Sequence, residues 1–244
     1  MRYRSSHNGQ PFNSINAGRR FFLPIDVSGC IFWVRGDLGV SQSGNSVSAW
    51  NDQSLRNNHL FSYVNPTYVS NAVNNRPGIS FNGTSQGMYA IDSSSLDLNI
   101  VTCIVVHSGY GTSTGNPAGL VAKRGSTGTN YQFFGNGNQF NGSVYTGPND
   151  TDSAWKIRYF QQRPYFLGLN TFFSFKNGTQ LFGSTDVIGA QNNEVMWVGM
   201  SSIGEYLSGT IAEIIMYNKL LQNAERNRLY RYLGLRYNIS VTLA

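Results

Sequence analysis

Residues 212–226 read AEIIMYNKLLQNAER and join two different periods. From Ala212 to Tyr217 the apolar residues run together, as in a strand buried on at least one face. From Gln222 the spacing turns helical, and Leu229, Tyr232 and Leu233 follow Glu225 at helix intervals. The stretch predicts a strand, a short loop and then a single helix of about three turns. It also places an acid, Glu213, inside the strand, where it either does chemistry or holds structure.

Working outward, composition sets what surrounds this unit. A chain of 244 residues suits one all-β sandwich. Hydrophobic residues make up 40% and aromatics 14%, enough for a sizeable core, while charged residues are only 12%, half the usual share of about 25%. A coiled coil is excluded and a helical bundle disfavoured, since both need Glu, Lys and Ala. The 27 glycines, with many Asn and Ser, imply frequent turns. Strand-like runs recur at 30–34 (CIFWV), 78–81 (GISF), 88–91 (MYAI), 100–107 (IVTCIVVH), 119–124 (GLVAKR) and 130–134 (NYQFF). More follow at 139–145 (QFNGSVY), 164–175 (PYFLGLNTFFSF, with a turn inside), 180–183 (QLFG), 194–200 (EVMWVGM) and 209–217 (GTIAEIIMY). Short strands at this spacing predict two packed antiparallel sheets in one domain, residues 23–244.

Residues 1–22 show no periodicity and read as an extended basic arm. Arg2, Arg4, Arg19 and Arg20 have no acid among them before Asp26. Phe21 and Phe22 are candidate apolar anchors, and Pro24 stiffens the exit into the domain. The net charge of +6 and pI near 9.4 also draw on Arg226, Arg228, Arg231 and Arg236 around the predicted helix. Nucleic acid is not favoured as a partner, because no aromatic-plus-basic recognition motif accompanies the arginines. No run approaches the roughly 20 apolar residues of a membrane span. MRYRSSHNGQ lacks the apolar core of a secretion signal, so folding in the cytoplasm is expected.

Catalytic signatures are sparse. Cys30 and Cys103 sit in apolar runs and read as buried free thiols, a disulfide being the alternative. Cys103 and His107 are four residues apart on one strand face, roughly 13 Å along it, too far for a nucleophile and its base. His7, His59 and His107 are scattered without metal-ligand spacing. Glu213 has Ile211 and Ile215 as expected same-face neighbours, and no second carboxylate at strand spacing to make a glycosidase pair. It reads as a buried acid bonded to a loop. If glycans bind, the exposed aromatics of SVYTGPNDTDSAWKIRYF (143–160) are the first candidates: Tyr145, Trp155 and Tyr159. Core or rim packing is their structural alternative.

Four stretches in order carry a resemblance: VSGCIFWVRGDLGV (27–40), VSAWNDQSLRNNHLFS (47–62), RPGISFNGTSQGMYA (76–90) and GTIAEIIMYNKLLQNAERNRLYRYLGLRYNI (209–239). Together they resemble the concanavalin A-like, laminin-G-like jelly-roll family found in phage and bacterial surface proteins, over residues 24–240. The resemblance implies that the helix packs beside a two-sheet antiparallel jelly-roll sandwich through Leu229, Tyr232 and Leu233, with Tyr217 and Asn218 tying the loop. Gln222 stands where the family has a Ser or Thr cap, and Asn223 is the expected substitute. Related domains carry calcium, for which Asp52, Asp150 and Asp152 are the candidates against a plain Asx turn; no other cofactor is implied.

The function expected from these readings is non-enzymatic: a structural protein of a phage virion, as capsid decoration, head fibre or tail component, assembled in the host cytoplasm. Its arm would dock on other virion proteins or on copies of itself and expose a lectin-like jelly roll. The alternative is a carbohydrate-binding module attaching to host-surface glycans, and a polysaccharide hydrolase is the third reading.

Overall fold

The computed structural model describes residues 21–111, 119–125, 128–134, 138–140, 143–145, 152–164, 169–187, 192–201 and 204–244. Among the described residues fifteen strands form one hydrogen-bonded sheet that folds over on itself, thirteen along a single path and two paired beside it, and every pairing is antiparallel. One layer runs Gly128–Phe134, Gly119–Gly125, Met196–Val198, Gly87–Ala90, Leu60–Val64 and Ser46–Trp50, with Val40–Ser43 beside the last. The other runs Arg76–Asn82, Leu207–Tyr217, Val101–Gly111, Lys156–Pro164, Leu169–Lys176 and Thr179–Val187, with the Trp33-bearing strand Cys30–Arg35 paired to the second half of Leu207–Tyr217. Thr67–Val73 turns the corner between them, touching Ser46–Trp50 at a single residue pair and Arg76–Asn82 along its length. A separate hairpin joins Asn138–Phe140 to Ser143–Tyr145. The fold is an all-β sandwich with one C-terminal helix, as the strand spacing predicts.

Two hydrophobic clusters result. Between the sheets lie Phe32, Trp50, Leu60, Phe133, Phe160 and Ile214, all fully buried. Outside the second sheet, a second cluster joins Trp33, Ile104, Tyr159 and Ile215 to one face of the helix Asn223–Tyr237, through Leu229, Tyr230, Leu233 and Tyr237. Burying Leu229 and Leu233 completely stabilises the docking by roughly 1.5–3 kcal/mol each. The helix has 15 residues, about four turns rather than three. Its apolar face continues to Tyr237, and Asn238 ends it in the left-handed conformation at φ 54°.

Two local expectations change. Asn223 is the first helical residue, not the cap; Gln222 holds the cap position. Glu225 reaches back to accept from the Gln222 N–H at 3.0 Å, so an acid in the first turn does the capping. In the preceding strand, a bulge between Ile211 and Glu213 breaks the alternation. Ile211 therefore faces the inter-sheet core, while Glu213 faces the helix layer with Ile215. One extra residue in a strand moves its neighbours to opposite faces.

Candidate functional site

Glu213 is fully buried at the centre of the helix–sheet layer. Its Oε1 accepts from Trp33 Nε1 at 2.7 Å and from the Tyr232 hydroxyl at 3.0 Å. Its Oε2 accepts from the Tyr237 hydroxyl at 2.7 Å, with Arg236 Nε 3.7 Å away. Burial pushes the carboxyl up from its ordinary range, and these donors pull it part of the way back. Both oxygens are committed to joining the late strand to the helix. Glu205, also buried, is held by Gln132 Nε2 at 2.6 Å and by the Ser201 hydroxyl.

Asp52 is held in the same saturated manner. Oδ1 accepts from the backbone N–H groups of Trp33 and Ser54, both at 2.9 Å, and Oδ2 from the Ser54 hydroxyl at 2.7 Å and the Asn58 N–H at 3.0 Å. This is an Asx turn that pins the Trp-bearing strand. Asp152 accepts from the Ala154 N–H and pairs with Lys176 at 3.1 Å, while Asp150 lies outside the described residues. Among the described residues no group of three or more His, Cys, Asp or Glu is arranged to hold a metal ion. Cys30 and Cys103 are buried free thiols, and burial pushes the Cys30 thiol up to about 12. His59 accepts from the Asp52 N–H at 3.1 Å, His107 is buried in its strand, and His7 lies outside the described residues.

The three aromatics expected to meet a sugar part company. Tyr159 is fully buried, edge-on to Phe175 at 5.3 Å and against Tyr230 at 6.1 Å. It cannot stack on a ligand. The reason is that Lys156–Pro164 is an interior strand between Val101–Gly111 and Leu169–Lys176, not a loop. Trp155 is half-buried against the helix-side cluster and lines a cleft of about 430 Å³ with Asn74, Asn177 and Asn238. The side chain of Tyr145 lies outside the described residues.

Of the arm, Arg2, Arg4, Arg19 and Arg20 also lie outside the described residues. Phe21 is exposed. Phe22 belongs to the domain: its ring meets Tyr232 edge-on at 6.0 Å and lies under Arg228 at 4.5 Å.

A different set of aromatics stands in the open. Trp197 pairs across strands with Tyr89, and Tyr89 with Phe61. Their strand neighbours Met196, Ala90 and Leu60 point into the inter-sheet core, so period-2 alternation turns the three rings outward in one row. Tyr63, two residues beyond Phe61, extends it. Ring centroids are 6.2 Å apart for Phe61 and Tyr89, 5.9 Å for Tyr89 and Trp197, and 5.5 Å for Tyr63 and Trp197. Phe61 is 40% and Tyr63 58% exposed, with Tyr89 and Trp197 half-buried. Among the described residues, the hydroxyls of Tyr63 and Tyr89 and the Trp197 indole nitrogen have no protein partner. The row lies on the outer face of the first sheet, on the side of the sandwich away from the helix. Strand alternation in LFSYV (60–64) and VMWVG (195–199) is the sequence signal for it.

No protein-family model matches the chain, and no curated protein matches it in sequence. Solved structures do. The binding domain of Paraclostridial Mosquitocidal Protein 1 superposes with a TM-score of 0.56 at 12% identity, over 87% of this chain and 54% of that one. Trypanosoma rangeli sialidase in complex with the inhibitor DANA gives 0.56 at 13% identity, over 84% of this chain and 33% of that one. Domain 4 of the GH43 extracellular arabinanase AbnA from Geobacillus stearothermophilus, in complex with arabinotriose, gives 0.55 at 14% identity, over 80% of this chain and 95% of that one. The chain thus spans about half the length of the first and a third of the second. These likenesses show a shared β-sandwich fold.

Proposed function

We propose that this chain is a non-catalytic carbohydrate-binding module and that Phe61, Tyr63, Tyr89 and Trp197 hold the sugar. The carrying observation is the outward aromatic row on a sheet whose alternate residues fill the core. The C–H face of a sugar ring stacks on such rings, and the Tyr hydroxyls and indole N–H, which have no partner among the described residues, are placed to bond its hydroxyls. Arabinotriose is the ligand of the arabinanase domain; carried to this chain, that class makes neutral oligosaccharides the first panel to test. The non-catalytic half rests on Glu213, whose oxygens are taken by Trp33, Tyr232 and Tyr237. A glycan array with the wild type and a Tyr63→Ala/Trp197→Ala variant tests the reading. Loss of the wild-type hits is expected; hits that survive in the variant would sink it. Release of reducing ends, abolished by Glu213→Gln, would overturn the non-catalytic half.

The reading of the module as a virion component is favoured by the position of Phe22. Phe22 packs on the helix, on the side of the sandwich away from the aromatic row. A particle-bound copy would then still present that row to a host surface. Deletion of residues 1–20 is expected to leave melting unchanged and to abolish incorporation into particles. Incorporation at the full-length level would end this reading.

A further inference from the structure

Beside the root of the arm, the helix and two strands enclose a groove of about 670 Å³, within the roughly 300–1,000 Å³ span of ligand clefts. Five arginines line it: Arg35, Arg76, Arg228, Arg231 and Arg236. Asp37 and Glu213 face three of them. Arg35 and Arg236 both bond Asp37, Arg76 lies 3.7 Å from it, and Arg236 approaches Glu213. Arg228 and Arg231 are exposed and pair with no carboxylate at ion-pair distance among the described residues. Two carboxylates against five guanidinium groups leave the groove with net positive charge.

The same groove is apolar between its charges. Leu235 is 83% and Phe21 89% exposed. Arg228, Arg231 and Leu235 follow one another at helix spacing, so they form a single stripe along the outer side of the helix. Phe22 stacks under Arg228 and holds that guanidinium beside the stripe.

We propose that this groove docks an acidic peptide segment of a partner protein, one that carries two or more carboxylates around an apolar side chain. Charge complementarity sets the sign, because two guanidinium forks with no carboxylate at ion-pair distance among the described residues match two carboxylates in bidentate geometry. The exposed Leu235 and Phe21 select a peptide over an anionic sugar, which has no side chain to cover them. The chain's own residues 1–20 are opposed as occupant by like charge, since they carry Arg2, Arg4, Arg19 and Arg20 and no acid. The inference stands apart from the glycan reading, which concerns the other side of the sandwich.

The test is fluorescence anisotropy of the full chain with a labelled octapeptide of alternating Asp and Leu, against the same peptide with Asn for Asp. The acidic peptide is expected to bind, and the Asn peptide to bind at least about tenfold more weakly, the scale of one strong interface contact. An Arg228→Ala/Arg231→Ala variant is expected to lose about tenfold with unchanged melting, both side chains being exposed; Leu235→Asn serves as a second variant that keeps the charge and is expected to weaken binding too. Equal binding of both peptides, or no loss in either variant, would overturn the proposal. So would tighter binding of a heparin octasaccharide or of single-stranded DNA to the same arginines, and so would peptide binding that appears only after removal of residues 1–20.

Discussion

The Tyr237 hydroxyl donates to Glu213 Oε2 at 2.7 Å, joining the last turn of the helix to the bulged strand. Tyr232 and Trp33 close on the other oxygen, so one buried carboxylate links the helix, the late strand and the Trp-bearing strand. Removing one donor leaves that oxygen short of a partner in a site water does not reach. Tyr237→Phe is expected to cost about 1–3 kcal/mol, the range for leaving a buried acceptor short of a donor. Urea unfolding measures it; a cost near zero would mean that the helix is held by its apolar face alone.

The same carboxylate gives a pH signature. Its folded-state value lies above the ordinary 4.5 because burial outweighs the hydrogen bonds. The folded protein therefore holds this proton more tightly than the unfolded chain does. The associated stability is full below the unfolded value and is lost as pH rises through the folded one. Wild-type stability minus that of Glu213→Gln should therefore fall as pH rises above about 4.5. Asp37 is partly buried, and Arg236 and Arg35 overcome that burial to lower its value. Its contribution is lost only as pH falls through that lowered value, below the range over which Glu213 titrates. A difference that is flat or rises with pH would contradict the assignment.

Lys123 is fully buried among oxygens: Asp92 Oδ1 and the Asn192 carbonyl at 2.6 Å, Asp97 Oδ1 and the Glu194 carbonyl at 2.9 Å. The ammonium fastens the loop at 92–97 to the segment at 192–194. Lys123→Met keeps the apolar stem and strands two carboxylates beside each other. Breaking one side of a buried pair costs several kcal/mol, reduced here because both aspartates are partly exposed; a loss of roughly 2–3 kcal/mol is expected in chemical denaturation.

Much of this architecture is legible in the sequence because its signals are local. The period change at Tyr217–Gln222 announces the strand–loop–helix unit, and the order of apolar runs announces the sandwich. That Glu213 is a bonded, buried acid is legible from its apolar strand, but its partners are not: the sequence predicts a loop, and the donors are Trp33 on a neighbouring strand and Tyr232 and Tyr237 on the helix. The face of Glu213 is not legible either: the bulge at Ala212 arises from pairing with Val101–Gly111, which the local pattern does not encode. The strands at 40–50 and 60–73 are also hard to see, because they are short and only sparsely buried. Tyr89 and Trp197 lie in runs that are legible as strands, but the row they form with Phe61 and Tyr63 depends on the pairing of Leu60–Val64 with Gly87–Ala90, which no local pattern encodes. Tyr159 errs in the opposite direction. Its neighbours Asp152, Lys156 and Arg158 give the segment a loop's composition, yet Lys156 and Arg158 are themselves buried.

The most direct measurement is calorimetric titration of the strongest array glycan into wild type, Trp197→Ala and Trp155→Ala. Base–aromatic stacking, the comparable contact in nucleic-acid binding, is worth about 1–3 kcal/mol per ring on alanine substitution. Trp197→Ala should therefore weaken binding by about tenfold or more, while Trp155→Ala, on the helix side of the sandwich, should leave it unchanged. Affinity kept in Trp197→Ala and lost in Trp155→Ala would contradict the assignment of the sugar surface to the outer face of the first sheet.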